Sequence, residues 1–293
     1  MEAQREALRR PGKHLFALVA AFFSILMVLR PASAQSAQPP TLDEILQRLE
    51  GNLQHYNATV PSFFCDEHVL SEVAPGAVDE SKTTNSAFRL MRTLNPDKTV
   101  ALTESREIKT VNDLPVSGAV LSGPAIVSGA FSGGLSVVSL GQKACMRYTL
   151  HRIDPSRPRD SYVVDFVSVF NRQHPPNCLL REDGKGRVFI DPATMEVTRV
   201  EVTAPHHTII PGVMLRGLVL FPSVVGKWVF SVDYAPIALD GRTFWMPKAI
   251  DSTAWSKSFV PSRMIWTFKA QYSNYHKLEV TSHIVPDSIA PVP

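Results

Sequence analysis

Few residues in this chain are of a type and spacing that could do covalent chemistry. His206-His207 is the most metal-like pair, because imidazole nitrogens are common ligands. Neighbouring side chains on a strand point to opposite faces, so the two could share an ion only from a loop. No cysteine or second histidine pair lies near them in sequence, and no metal site is expected. His151 and Asp154 could form a pair, but they fall beside a strand end, where solvation is the simpler reading. A serine nucleophile elbow needs Gly-x-Ser-x-Gly, which the chain lacks, and Gly184-Lys185-Gly186 is a turn without the rest of a phosphate loop or dinucleotide fingerprint. Asp183, Asp191, Asp240 and Asp251 fall at turns or on polar faces, where carboxylates serve turn chemistry. The pattern points to no catalysis and no cofactor.

What stands out instead is aromatic. Trp228, Phe230, Phe244, Trp266 and Phe268 share even parity on segments joined by short turns, so one sheet face should collect them. Filling a core is the commoner use of such residues. Lining a cavity for an apolar ligand is the functional use, and these five are the candidate ligand-binding residues.

The elements that must position them are mostly strands. Between Arg263 and Ile284, Met264, Trp266, Phe268, Ala270 and Tyr272 alternate with polar neighbours; after a break at Ser273-Asn274, Leu278, Val280 and Ile284 alternate again. This predicts two half-buried strands, each with one apolar face. Trp228 to Tyr234 reads the same way, with Asp240-Gly241 as a two-residue hairpin turn and a new strand after Pro247. Asp191-Pro192-Ala193-Thr194 joins another hairpin. In all about ten strands are expected, with sequential hairpins and hence an antiparallel sheet. A sheet that wide curls rather than staying flat. Its cover is a helix: Thr41 and Glu44 form a capping box, and Leu42, Ile45, Leu46, Leu49, Leu53 and Tyr56 follow at helical spacing. Two stretches interrupt the pattern. Residues 117–141 hold six of the chain's 15 glycines and no charge, and residues 204–227 read as an apolar, proline-broken loop with one charge, Arg216, before Lys227.

The first residues read as a targeting signal. Arg9, Arg10 and Lys13 precede an apolar run of 15 residues, Leu15 to Leu29, and Ala32-Ser33-Ala34 is a small-x-small cleavage motif. Cleavage after Ala34 is expected, then a linker over 35–40, one domain over 41–285 and a tail over 286–293. The apolar run is shorter than the ~20 residues of a membrane-spanning helix, so no span is expected after cleavage. Five of the 30 basic and two of the 27 acidic residues lie within 1–34, leaving 25 of each. No basic field remains to attract nucleic acid.

Cys65, Cys145 and Cys178 all follow the signal, and in an oxidising compartment an odd count suggests one disulfide and one free thiol. Cys145 begins one strand and Cys178 follows the next, so a hairpin would bring them to one end of the sheet. Cys145–Cys178 is the expected bridge; Cys65–Cys145 and Cys65–Cys178 remain open.

Three motifs carry a family resemblance: Gly186-Arg187-Val188-Phe189-Ile190-Asp191-Pro192-Ala193-Thr194, then Asp240-Gly241-Arg242-Thr243-Phe244-Trp245-Met246-Pro247, then Tyr272-Ser273-Asn274-Tyr275-His276-Lys277. With the signal and leading helix they resemble a group of secreted bacterial proteins that look like distant relatives of the outer-membrane lipoprotein-localisation carriers. The resemblance implies a mainly β (α+β) fold: a curved antiparallel sheet forming a half-open barrel, with the N-terminal helix on its concave side. It transfers no functional residue. The expected function is a periplasmic or secreted, non-catalytic module binding a lipid, acyl chain or lipidated peptide. The alternative is a cell-envelope protein-interaction or structural module with a filled barrel.

Overall fold

The structure, a computed structural model, describes residues 39–279 except 74–79, 117–130, 132–133, 152–160, 170–177, 181, 210–212, 216–217, 221–222 and 257–262. The expected signal, its cleavage site and the tail lie outside these residues, as does most of the strand expected after Asn274. From Thr41 onward the chain forms one compact unit.

Helix α1 (Leu42–Thr59) starts where the capping box places it: the Thr41 side chain accepts from the Glu44 N–H, and the Glu44 carboxylate accepts from the Thr41 N–H at 2.7 Å. Ile45, Leu46, Leu49, Leu53 and Tyr56 are its buried stripe. Val60 closes it by donating to the Tyr56 carbonyl, and Pro61 follows.

Among the described residues thirteen strands follow: β1 (Phe63–Val73), β2 (Glu80–Leu94), β3 (Val100–Val111), β4 (Leu114–Pro115), β5 (Met146–His151), β6 (Tyr162–Ser168), β7 (Lys185–Ile190), β8 (Val197–Ile209), β9 (Val213–Leu215), β10 (Leu218–Leu220), β11 (Ser223–Leu239), β12 (Arg242–Ser256) and β13 (Arg263–Lys277). Eleven form one sheet in the order β4-β3-β2-β1-β13-β12-β11-β8-β7-β6-β5, and β9 and β10 form a separate hairpin. The pairings are antiparallel, and among the described residues β4 and β5 have no outer neighbour, so the sheet does not close. Helix α1 contacts both β3 and β5, near opposite edges. Laid flat, eleven strands ~4.8 Å apart would span roughly 48 Å, against a helix ~10 Å thick. Only a sheet rolled around α1 can meet it at both sides. This is a half-open barrel with the helix on its concave face.

Three sequence readings are corrected. Ser273-Asn274 does not end a strand. β13 runs through it with one extra residue opposite Cys65, and Asn274 takes φ 55°. This bulge moves the inward position from even to odd, from Tyr272 to Tyr275. Pro247 likewise does not separate strands. β12 is continuous, with Lys248 as the extra residue opposite Asp233 and Tyr234. Pro247 sits where β12 pairs only with β11, so its missing N–H costs no ladder bond. Residues 204–227 are not a loop: β8 runs to Ile209, β11 starts at Ser223, and the β9–β10 hairpin lies between. Within the uncharged stretch, the described residues form two short 3-10 turns, η1 (Gly134–Val138) and η2 (Leu140–Gln142).

The core lies between α1 and the sheet. Phe63, Phe88, Phe131, Tyr272 and Tyr275 fill the β1–β2–β13 side, with Phe88 and Phe131 stacked at 4.5 Å between ring centres. Val164, Val188, Val200 and Val232 form an aliphatic row across β6, β7, β8 and β11, and Ile250 and Ala270 extend it onto β12 and β13.

Candidate functional site

Cross-strand partners share a face, so the pairing register shows how the candidate aromatics are grouped. One row runs Ser71, Phe268, Ser252, Phe230, Val202. The next runs Val73, Trp266, Ala254, Trp228, Ala204. Phe268 is fully buried. Trp228, Phe230 and Trp266 are only half-buried, although Phe230 and Trp266 pack against the core. The Trp228 and Phe230 rings lie 5.6 Å apart, and His206 meets Trp266 edge-on at 6.3 Å. The Trp228 indole N–H donates to the Ser252 hydroxyl at 2.7 Å, which gives a fully buried serine its partner.

Phe244 is placed differently. It lies beyond the bulge at Lys248, pairs with Ile237, and packs edge-on against Tyr56 of α1 at 6.3 Å. The C-terminal half of α1 lies at this end of the sheet: Asn52 donates to the Met195 carbonyl in the β7–β8 turn, and Arg92, near the end of β2, donates to the Ala58 carbonyl. Trp228 and Trp266 lie toward the opposite end, near the start of β11 and of β13. Among the described residues no hydrogen bond or ring contact joins α1 to Trp228, Phe230 or Trp266.

The interior also holds a charged group. Glu67 on β1 is 2% exposed and accepts from Arg106 Nε on β3 at 2.8 Å to each carboxylate oxygen. The Tyr272 hydroxyl donates to the same carboxylate at 2.9 Å, and the guanidinium lies 4.9 Å from the centre of the Phe88 ring. Both carboxylate oxygens are met by a donor, which is what a buried ion pair requires. The sequence did carry a signal: Glu67 interrupts the inward parity of Phe63, Cys65, Val69 and Ser71. Its partner is 39 residues away, and nothing local identifies it.

The other chemical candidates resolve into ordinary roles. His151 bonds Asp165 at 2.8 Å on the exposed side of the β5–β6 pair, while Asp154 lies outside the described residues. Asp191 accepts from the Thr194 and Ala193 N–H groups of its turn, and the Thr194 bond leads in holding its carboxyl below the usual range. Asp240, in its turn at φ 53°, pairs with Lys277 at 3.0 Å. The Gly184 N–H donates to the Ser168 hydroxyl at 2.7 Å. Asp183 is exposed, and Asp251 lies on the exposed side of β12. Among the described residues no group of three or more His, Cys, Asp or Glu could hold a metal ion.

Cys145 and Cys178 form the disulfide, with α-carbons 5.6 Å apart, at the end of the sheet where β5 starts and β6 finishes. Cys65 is a buried free thiol, pushed well above its ordinary pKa chiefly by burial. A disulfide suits an oxidising compartment, in keeping with a periplasmic or secreted protein. Among the described residues no helix is long and apolar enough to cross a membrane.

Outside the barrel, on the opposite parity, Val167, Lys185, Thr203, Pro205, Val225 and Lys227 border a cavity of about 410 Å³.

No protein-family model and no curated protein matches the sequence. Several solved structures are similar to it, three of which follow. The first is a putative outer membrane lipoprotein-sorting protein domain from Vibrio parahaemolyticus, at 12% identity over 78% of this chain and 90% of that one, with a TM-score of 0.36. The second is a LolA superfamily protein from Nitrosomonas europaea, at 10% identity over 80% and 94%, with a TM-score of 0.32. The third is a DUF1329 family protein from Desulfovibrio piger, at 8% identity over 81% and 93%, with a TM-score of 0.38. Likenesses this loose leave the reading of the site to the chain's own geometry.

Proposed function

We propose that this chain is a non-catalytic binding module of the periplasm or the secreted fraction. It holds an apolar, chain-like ligand against the inner face of its half-barrel. One observation carries the reading. Phe244 and Phe268 are spent on the core, whereas Trp228, Phe230 and Trp266 remain half-buried on a face of the kind that elsewhere buries its rings. Half-buried rings beside a closed apolar floor suit a lipid, an acyl chain or a lipidated peptide. Each methylene buried there contributes about 0.8 kcal/mol, so a half-engaged chain reaches micromolar affinity.

The test is a titration of the chain with a fluorescent long-chain alkyl probe at low and high salt. Saturable binding that is insensitive to salt and weakened by Trp266→Ala supports the reading. Absence of saturable binding removes it and leaves a filled barrel that docks a protein of the envelope.

A further inference from the structure

One end of the half-barrel collects exposed apolar side chains on its outer face. It is the end where β6 and β12 finish and where β7, β11 and β13 start. Val167, Val225 and Trp255 are 44%, 47% and 37% exposed there. Val169, whose N–H donates to the Cys145 carbonyl, and Leu179, which follows Cys178, are exposed at the same end. The hairpin of β9 and β10 joins β8 to β11 here. Its pairs are Leu215–Leu218, Met214–Val219 and Val213–Leu220, so neither strand contributes a polar residue. A hairpin of two strands has no core of its own in which to bury such residues.

The charge at this end is one-sided. Acidic and basic residues balance over the chain beyond residue 34, but not along these strands. Residues 202–232 hold Arg216 and Lys227 and no acid, and residues 252–268 hold Lys257 and Arg263 and no acid. The turns at the opposite end, 191–196 and 240–241, hold Asp191, Glu196 and Asp240 and no basic residue. Lys185 and Lys227 border the outer cavity of about 410 Å³ against one acid, Asp183. Lys109, Lys143 and Lys277 pair with aspartates, whereas Lys185 and Lys227 make no ion pair among the described residues. Distance along the strands orders the groups. Val225 comes first, then Lys227 with its pairing partner Trp255, then the row of Val167, Lys185 and Thr203, each step two residues or roughly 7 Å. Behind them lie the ion pairs Arg187–Asp165 and Arg199–Glu201.

We propose that this end of the half-barrel docks on an anionic lipid bilayer. The β9–β10 hairpin and Val225 enter the surface, Trp255 lies at the boundary, and Lys185 and Lys227 meet the lipid phosphates. Apolar groups, then tryptophan and lysine, then charges paired within the protein is the order of groups across a membrane interface. A protein partner suits the patch less well, because lysine is depleted from protein interfaces. A second copy meeting it through the same end sets Lys185 and Lys227 against their own counterparts. The outer face carries the proposal, which goes beyond the ligand reading and stands without it. Trp228 and Trp266 lie at the same end, so docking brings the half-buried rings of the inner face beside the bilayer.

The experiment uses the chain from Gln35 onward, which contains the whole compact unit that begins at Thr41 and omits the apolar run of residues 15–29. It is sedimented with vesicles of phosphatidylcholine alone and of phosphatidylcholine mixed with phosphatidylglycerol, at low and high salt. Binding should be strong on the mixed vesicles, fall at high salt, and be weak on phosphatidylcholine. Lys185→Gln and Lys227→Gln should each weaken it about fivefold, and arginine at both positions should retain it. Trp255→Ala should weaken it at either salt. Lys98→Gln, in the turn between β2 and β3 at the opposite end, should leave it unchanged. The lysine variants should keep the parent's melting temperature and its affinity for the alkyl probe. Absence of binding to the mixed vesicles overturns the proposal, and so does binding that Lys185→Gln and Lys227→Gln leave intact. A dimer that these variants disrupt, in a chain that ignores vesicles, overturns it in favour of self-association. Failure of the alkyl probe with vesicle binding retained overturns the ligand reading alone.

Discussion

Replacing Arg106 with alanine tests whether the interior is held as the geometry implies. Glu67 and Arg106 have side chains 1% and 10% exposed, and both carboxylate oxygens accept from Arg106 Nε. Without the guanidinium, the buried carboxylate keeps, among the described residues, the Tyr272 hydroxyl as its side-chain donor. Stranding one partner of a buried pair costs about 3–5 kcal/mol, a large part of the roughly 5–15 kcal/mol that holds a domain folded. The control joins the same two strands as Arg106 and Phe88. Arg89 on β2 pairs with Glu107 on β3 with side chains 43% and 58% exposed, and Arg89→Ala should cost at most about 1 kcal/mol. The double variant Glu67→Gln/Arg106→Met should recover most of the loss, because it buries no charge and Gln still accepts from Tyr272. Urea unfolding followed by tryptophan fluorescence reads all three. Equal costs for Arg106→Ala and Arg89→Ala would refute the claim that Glu67 depends on Arg106.

Three further outcomes are expected. A β-carbon at Gly186 would sit 2.1 Å from the Glu201 carbonyl oxygen and 2.3 Å from Phe166 Cζ, so Gly186→Ala should cost on the order of 1–3 kcal/mol in urea unfolding. The Cys145–Cys178 bridge spans 33 residues, and Cys145→Ala/Cys178→Ala should lower stability by about 3–4 kcal/mol; a non-reducing peptide map should leave Cys65 unpaired. Burial, partly offset by a hydrogen bond with Asn52, raises the Glu196 carboxyl from 4.5 to about 6. The folded state therefore holds its proton more tightly than the unfolded state, and the stability this gives is present below pH 4.5 and is lost as pH rises through about 6. Glu196→Gln should melt above the parent at pH 7 and with it at pH 4, as thermal melts across that range would show.

Local chemistry was legible in the sequence. The capping box located the start of α1, and Asp240-Gly241 and Asp191 to Thr194 marked turns, because each signal is complete within a few residues. The disulfide followed from where two cysteines fall relative to one hairpin. The errors share a different cause. A bulge and a strand end both interrupt a period of two, and only the neighbouring strand distinguishes them. At Ser273-Asn274 the neighbour is β1, about 200 residues earlier, and its ladder continues past Cys65. At Pro247 the neighbour is β11, which continues past Tyr234. The Glu67–Arg106 pair was out of reach for a related reason, since β1 and β3 meet only through β2, and the Tyr56–Phe244 contact depends on the rolling of the sheet around α1.

The same rolling explains why half-buried rings remain at one end. One helix supplies five buried side chains, and they must serve the inner face of eleven strands. On the β1–β2–β13 side the strands compensate with rings, five of which pack on one another from Phe63 to Tyr275. At the end where the chain leaves α1, Tyr56 meets Phe244 and the β7–β8 turn is tied to Asn52. Toward the other end of β11 and β13 the described residues offer no such partner from α1. Trp228 there meets Phe230 and the Ser252 hydroxyl, Trp266 meets His206, and Phe230 and Trp266 touch the margin of the core. Large rings left half-covered retain apolar surface that a ligand can remove from water, at about 25 cal/mol for each Å². Smaller side chains at these three positions would have closed the same rows with less exposed apolar area. The size of the rings, more than their hydrophobicity, therefore favours a binding face over a core margin.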